Sequence, residues 1–171
     1  MNGATASEAW QKLQDGNARL VSGITEHPRR SREVREQLLS EQRPLAAVLS
    51  CADSRAPIEI VFDQGFGDIF VVRTAGPVLS ESTIGSLEYA AVILQTPLIV
   101  VLTHEGCGAI AAAREVRGDP DLLTGYLPAI VSGIGRSVLD DEDGEALHAR
   151  QLVRGLLARS HHLSQRVEAG S

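Results

Sequence analysis

Three short aliphatic runs constrain this chain more than any other feature: LAAVLSC at 45–51, DIFVVRTAG at 68–76 and PLIVVLTH at 97–104. Each is rich in aliphatic and β-branched residues, too short for an independent helix, and ends where polar residues begin. Their apolar positions are nearly continuous, as expected of strands covered on both faces in a parallel sheet. The segments between them, PIEIVFDQGFG and SESTIGSLEYAAVILQ, carry helical spacing. The order strand, helix, strand, helix, strand, helix is that of an α/β domain with a mostly parallel central sheet flanked by helices. In such sheets ligands bind beyond the carboxyl ends of the strands. Two of those ends carry Cys51 and His104.

Upstream, SEAWQKLQDGNARLVSG places a candidate N-cap at Ser7, spaces Ala9, Leu13 and Leu20 helically and stops at Gly23. SREVREQLLSEQ reads as a second, charged helix before Pro44. No repeat, low-complexity tract or composition break divides the chain, so it is expected to form a single domain over 1–171 with an N-terminal helical arm over about 1–43. A hydrophobic content of 43% is enough for a core. The formal net charge of -6 argues against nucleic acid or an anionic membrane as partner and leaves a small ligand or a protein. The first residues hold no apolar signal core, and no apolar run reaches the roughly 20 residues of a membrane span. A cytoplasmic protein is expected, and its two cysteines are then free, catalytic or metal-bound rather than bridged.

The stretch VLSCADSRAP crowds a thiol, a carboxylate and a guanidinium, Cys51, Asp53 and Arg55, onto alternate positions at a strand end. The third strand runs into THEGCGAI, where Cys107 follows His104 by three residues. Cys51, His104 and Cys107 together would supply three protein ligands for a catalytic zinc with a fourth position open to water. Two readings stand on spacing alone: that metal set, or a small buried cysteine beside a hydrogen-bonded histidine and an inert second thiol. His161 and His162 read as a solvated helix face, and His27 and His148 carry no signal.

CADSR followed some fifty positions later by HEGCG closely resembles the paired signature of the bacterial β-class carbonic anhydrases. The resemblance runs in order through AWQKLQDGNARLVSG, EQRPLAAVLSCADSR, FDQGFGDIFVVRTAG, SLEYA and PLIVVLTHEGCGA, from about Ala9 to Ala112. It implies a zinc lyase that hydrates carbon dioxide to bicarbonate, with one Zn2+ per chain held by Cys51, His104 and Cys107. Asp53 and Arg55 would be the catalytic dyad, Asp53 accepting a hydrogen bond that orients the nucleophile and Arg55 holding its carboxylate. Gln42, Phe70 and Tyr89 fall where the family places pocket-lining residues, partly across a dimer interface, and Gly108 where close backbone approach to the metal is expected. The resemblance further implies a homodimer or dimer of dimers, with the N-terminal helices packing on a partner subunit. Two other functions fit the same resemblance: a carbonyl sulfide or carbon disulfide hydrolase, and a zinc-binding inactive homologue serving as sensor or scaffold.

Three positions depart from the family pattern. Thr103 stands where glycine is usual before the zinc histidine, a change expected to affect the turn that aims His104. Glu105 follows that histidine directly and is expected to point to solvent. The chain also ends at Ser171, where relatives continue into a final strand; its absence would leave a sheet edge open.

Overall fold

The computed structural model describes residues 4–170, without the side chains of 136 and 137, so Met1, Asn2, Gly3 and Ser171 of the expected 1–171 domain lie outside the described residues. The three aliphatic runs form β1 (Ala46–Cys51), β2 (Ile69–Thr74) and β3 (Ile99–Leu102), all parallel, in the order β2-β1-β3. β1 is central and every one of its residues is buried. Its register pairs Cys51 with Thr74 of β2 and Ser50 with Leu102 of β3, so the three carboxyl ends lie level. β1 connects outward to β2 while β3 lies on its other side. The crevice beyond the ends of β1 and β3 is therefore where this topology receives a ligand.

Alternation along β1 builds the two faces of the sheet. Ala46 and Val48 pack with Leu13 of α1 (Ala6–Val21), Ile58 of α3 (Ile58–Val61) and Phe62. Ala47 and Leu49 pack with Ile84 and Leu87 of α4 (Glu81–Glu88), Leu156 of α8 (Gly144–Arg159) and Leu163 of α9 (His161–Glu168). The result is the expected three-layer α/β arrangement. A third cluster sits beyond the strand ends, where Cys51 and Cys107 join Ile110 and Ala113 of α5 (Gly108–Glu115), Val131 of α6 (Leu127–Gly133), Ile134, and Val138 of α7 (Arg136–Leu139). The two thiols thus open from a well-packed apolar floor.

Local chemistry sets the helix ends differently from the sequence reading in three places. The α1 cap is Thr5, not Ser7: its hydroxyl accepts from Glu8 N at 3.2 Å and the Glu8 carboxylate returns to Thr5 N at 2.7 Å, a capping box that Ser7 cannot make. PIEIVFDQGFG keeps only the single turn of α3, because Asp63 adopts φ 45° and turns the chain. SESTIGSLEYAAVILQ leaves the α-helix at Tyr89 for a π-helical turn, Tyr89–Ile93. The charged second helix is α2 (Arg32–Gln37), capped by Ser31 and burying no residue.

One face of α1 docks on its own chain. Asn17 donates to the Val61 carbonyl at 2.9 Å, Arg19 Nε reaches Asp63 at 2.7 Å, and a Cβ at Gly16 would overlap the Phe62 carbonyl. No described helix is long and apolar enough to cross a membrane.

Candidate metal centre

Cys51 is the last residue of β1, His104 lies two residues past β3, and Cys107 is the residue from which α5 starts. The level strand ends bring them together: one sulfur or ring nitrogen from each lies within 4.8 Å of the others, and the two sulfurs are 3.9 Å apart. Both cysteines are free and buried. His104 Nδ1 donates to the carbonyl of Glu105 at 3.0 Å, which leaves Nε2 as the lone-pair nitrogen. That Nε2 is buried and has no hydrogen-bond partner.

Asp53 and Arg55 stand over this group. The guanidinium grips the carboxylate as a fork, Nε to Oδ1 at 2.9 Å and Nη2 to Oδ2 at 2.8 Å, and Arg55 N adds 2.9 Å to Oδ1. Arg55 Nη2 also reaches the Gly106 carbonyl at 3.3 Å, tying the β1 loop to the turn between His104 and Cys107. Asp53 Oδ2 lies 3.7 Å from His104 Nε2, too far for a hydrogen bond.

The electrostatics follow from these contacts. The side-chain and backbone hydrogen bonds of Arg55 hold the Asp53 carboxyl well below the usual carboxylate range. Burial pushes both thiols up. At Cys51 it is outweighed by the His104 ring, the amides of Gly76 and Asp53, and Cys107, so the net shift is downward. At Cys107 burial prevails over the Ile110 and Ala109 amides, and the charge of Cys51 adds to it, so the net shift is upward. Burial lowers the His104 pKa, but the Cys51 sulfur, the Glu105 carbonyl and Asp53 more than reverse it. Two thiols this close oppose each other's ionisation unless a cation lies between them. Two sulfurs and an unpartnered, correctly oriented imidazole nitrogen form a donor set that fits zinc.

The carbonic anhydrase family profile matches residues 46–167. Carbonic anhydrase 2 of Mycobacterium tuberculosis is 44% identical over 171 residues, covering 95% of this chain and 83% of that protein. The carbonic anhydrase of Mycolicibacterium smegmatis is 42% identical over the same shares of the two chains. Among solved structures, the β-carbonic anhydrase CcaA superposes with a TM-score of 0.65 at 24% identity, covering 94% of this chain and 85% of that one. The chain belongs to the β-class carbonic anhydrases.

Against the pattern of that family, the remaining expected residues fall into two groups. Gln42 and Tyr89 line a cleft of about 1340 Å³, and Phe70 meets Tyr89 with ring centroids 6.1 Å apart. Phe70 is level with Ala47, four residues before Cys51, and so lies about 13 Å down the strand from Cys51. A single chain therefore does not bring these three to Cys51. A Cβ at Gly108 would meet no protein atom within 4 Å, so its backbone faces open space at the start of α5. Gly76, at φ 60°, packs closely against α5, where a Cβ would come within 2.8 Å of Ala109 Cβ.

Of the departures from the carbonic anhydrase pattern, Glu105 is exposed as expected, and its carbonyl rather than its carboxylate meets His104. Thr103 turns its hydroxyl away from the centre, donating to the Glu145 carbonyl at 2.9 Å. His161 and His162 are exposed, and among the described residues Cys51, His104 and Cys107 are the one group with metal-binding geometry. Sequence reasoning missed Arg73, which donates to the carbonyls of Cys51 at 2.9 Å and Asp53 at 2.7 Å and so clamps the backbone of the CADSR loop. Its position at the end of an apolar strand, level with Ser50, was the available signal.

Proposed function

We propose that this chain is a zinc-dependent carbonic anhydrase that catalyses reversible hydration of carbon dioxide to bicarbonate and a proton. The observation that carries this reading is the convergence of the Cys51, His104 and Cys107 donor atoms within 4.8 Å, directly beneath the Asp53–Arg55 fork. Cys51, His104 and Cys107 would hold one Zn2+ per chain. Bound there, zinc supplies the Lewis acidity that makes water nucleophilic near neutral pH.

The chain's own residues supply orientation. Asp53 is held ionised, so at neutral pH it accepts a hydrogen bond from the attacking water and does not store the proton. Arg55 fixes both carboxylate oxygens, and the backbone clamp of Arg73 fixes the loop that carries them. With its reach limited in this way, Asp53 presents one lone-pair direction to the nucleophile, which lowers the entropy lost on reaching the transition state.

We further infer a cytoplasmic homodimer, or dimer of dimers, in which Gln42, Phe70 and Tyr89 line a substrate pocket shared between chains. The separation of these three from Cys51 within one chain supports the sharing, and two free buried cysteines support a reducing compartment. The intact Asp53–Arg55 fork favours the anhydrase over an inactive scaffold. Stopped-flow measurement of carbon dioxide hydration on protein of verified zinc content tests the proposal: acceleration that disappears in Cys107→Ser is expected, and zinc-loaded wild-type protein without acceleration would refute it.

A further inference from the structure

His148 lies on α8, outside the group of donors, and is 1% exposed. Its Nε2 is 2.7 Å from the carbonyl of Pro77. A carbonyl only accepts, so the imidazole carries its proton on Nε2 and donates it. Nδ1 is left buried with no partner. A histidine that leaves one nitrogen unsatisfied in the core is an expensive way to fill space, since an apolar ring of similar size would avoid that cost. What it contributes is a hold on Pro77.

Pro77 closes the loop that follows β2. Thr74 Oγ1 donates to the Gly76 carbonyl at 2.8 Å and accepts from Val78 N at 3.2 Å, so residues 74–78 move as one turn. The inner edge of this turn touches the centre. The amide of Ala52, the residue after Cys51, donates to the Thr74 carbonyl at 2.7 Å, and the Gly76 backbone fits against Ala109, two residues beyond Cys107, at a distance that excludes any side chain. The same helical turn of α8 is tied to the third ligand. Three residues before His148, the Glu145 carbonyl accepts from Thr103 Oγ1 at 2.9 Å, and Thr103 immediately precedes His104.

We propose that the first turn of α8 is an outer brace of the metal centre, in which His148 and Thr103 act as positioning residues that hold the β2 and β3 loops at the separation the donor set requires. The inference rests on the zinc reading proposed above. The brace accounts for three otherwise unconnected features: a buried histidine with an orphaned nitrogen, a threonine in place of the family's glycine, and a glycine packed closely against Ala109. It acts through backbone carbonyls on both sides, so the side chains at 103 and 148 set the geometry while the helix serves as the rigid spacer between the loops.

The test compares full-length His148→Phe, His148→Gln, Thr103→Val and Thr103→Ser with a control, Leu156→Ala, which removes core packing from the same helix about two turns beyond His148 without touching either brace hydrogen bond. Zinc affinity is read by competition with a chelator, and thiol geometry by the rate of iodoacetamide alkylation of the metal-stripped protein. His148→Phe and Thr103→Val should each weaken zinc binding about ten- to a hundredfold and change the alkylation rate, since outer partners of metal ligands act on that scale. The conservative variants His148→Gln and Thr103→Ser retain a donor and should restore most of the affinity. Leu156→Ala should lower the melting temperature and leave zinc affinity near that of the wild type. Wild-type affinity in both His148→Phe and Thr103→Val, or an equal loss in Leu156→Ala, would overturn the brace. If His148→Phe fails to fold, the Thr103 pair decides alone, and wild-type affinity in Thr103→Val overturns it. Zinc binding that survives Cys107→Ser would instead overturn the centre itself, and the brace with it.

Discussion

At the residue scale the proposed function gives Asp53 and His104 different tasks, and their environments differ accordingly. His104 keeps Nε2 free because Nδ1 carries the proton and donates it in a hydrogen bond to the Glu105 carbonyl, whereas Asp53 has both oxygens occupied by Arg55. Removing a ligand and removing the orienting carboxylate should therefore give different defects. His104→Ala and Cys107→Ser should lose zinc, read by elemental analysis, and with it activity; full occupancy in both would refute the ligand assignment. Asp53→Asn should keep its zinc while turnover falls by about 10²-fold or more, a size usual for a positioned acceptor. Wild-type turnover in Asp53→Asn would remove Asp53 from the mechanism. Cys51, Asp53, Arg55, His104 and Cys107 were all legible in the sequence, because CADSR and HEGCG are local and each follows a strand. Arg73 and His148 were not, because each acts on a backbone carbonyl supplied by a distant segment, and a carbonyl leaves no mark in the sequence.

At the scale of elements, the junction between α1 and the turn after α3 carries the most concentrated polar chemistry away from the centre. Asp63 is 1% exposed and accepts from Arg19 Nε at 2.7 Å and from the amides of Glu26 and His27 at 3.0 Å each. Burial pushes this carboxyl up, but the Glu26 amide, Arg19 and the His27 amide pull harder, to about 2. The folded pKa lies below the unfolded value of about 3.9, so the stabilisation is complete above that value and is lost as pH falls toward 2. Asp63→Ala should cost on the order of 3 kcal/mol at pH 7, the scale of breaking a buried charged pair. In chemical denaturation the gap between variant and wild type should narrow steadily below pH 4; a gap that persists unchanged to pH 2.5 would show that Asp63 does not act through its charge. The strands and their order of appearance could be read from the aliphatic runs. The abrupt end of α3 could not, because Asp63 sits in a helically spaced segment and only its distant partners on α1 and the turn at 26–27 reward the left-handed conformation.

For the whole molecule, the question is what completes the site. The cleft of about 1340 Å³ is lined by Gln42, Phe66, Tyr89, Ile93 and Leu39 among others, and Phe66, Tyr89, Ile93 and Leu39 are all exposed large hydrophobic residues. Trp10 on the outer face of α1 is 42% exposed as well, while the inner face is committed to the chain's own sheet. Apolar surface on this scale, rimmed by charged residues, is typical of a protein contact. The π-helical turn at Tyr89–Ile93 turns both Tyr89 and Ile93 outward to the cleft, and such turns recur at functional positions. If a second copy of the chain fills this region and brings Gln42, Phe70 and Tyr89 toward the opposing metal centre, then association and turnover are linked while metal binding is not. Ile93→Asp would place a charge in that contact and should shift the protein from dimer to monomer in light scattering at micromolar concentration. Zinc content should stay at one per chain, because Cys51, His104 and Cys107 all come from one chain. Turnover should fall with the dimer fraction and recover as protein concentration is raised. A zinc-loaded monomer with undiminished turnover would show that one chain carries a complete pocket, and would return Gln42, Phe70 and Tyr89 to a packing role.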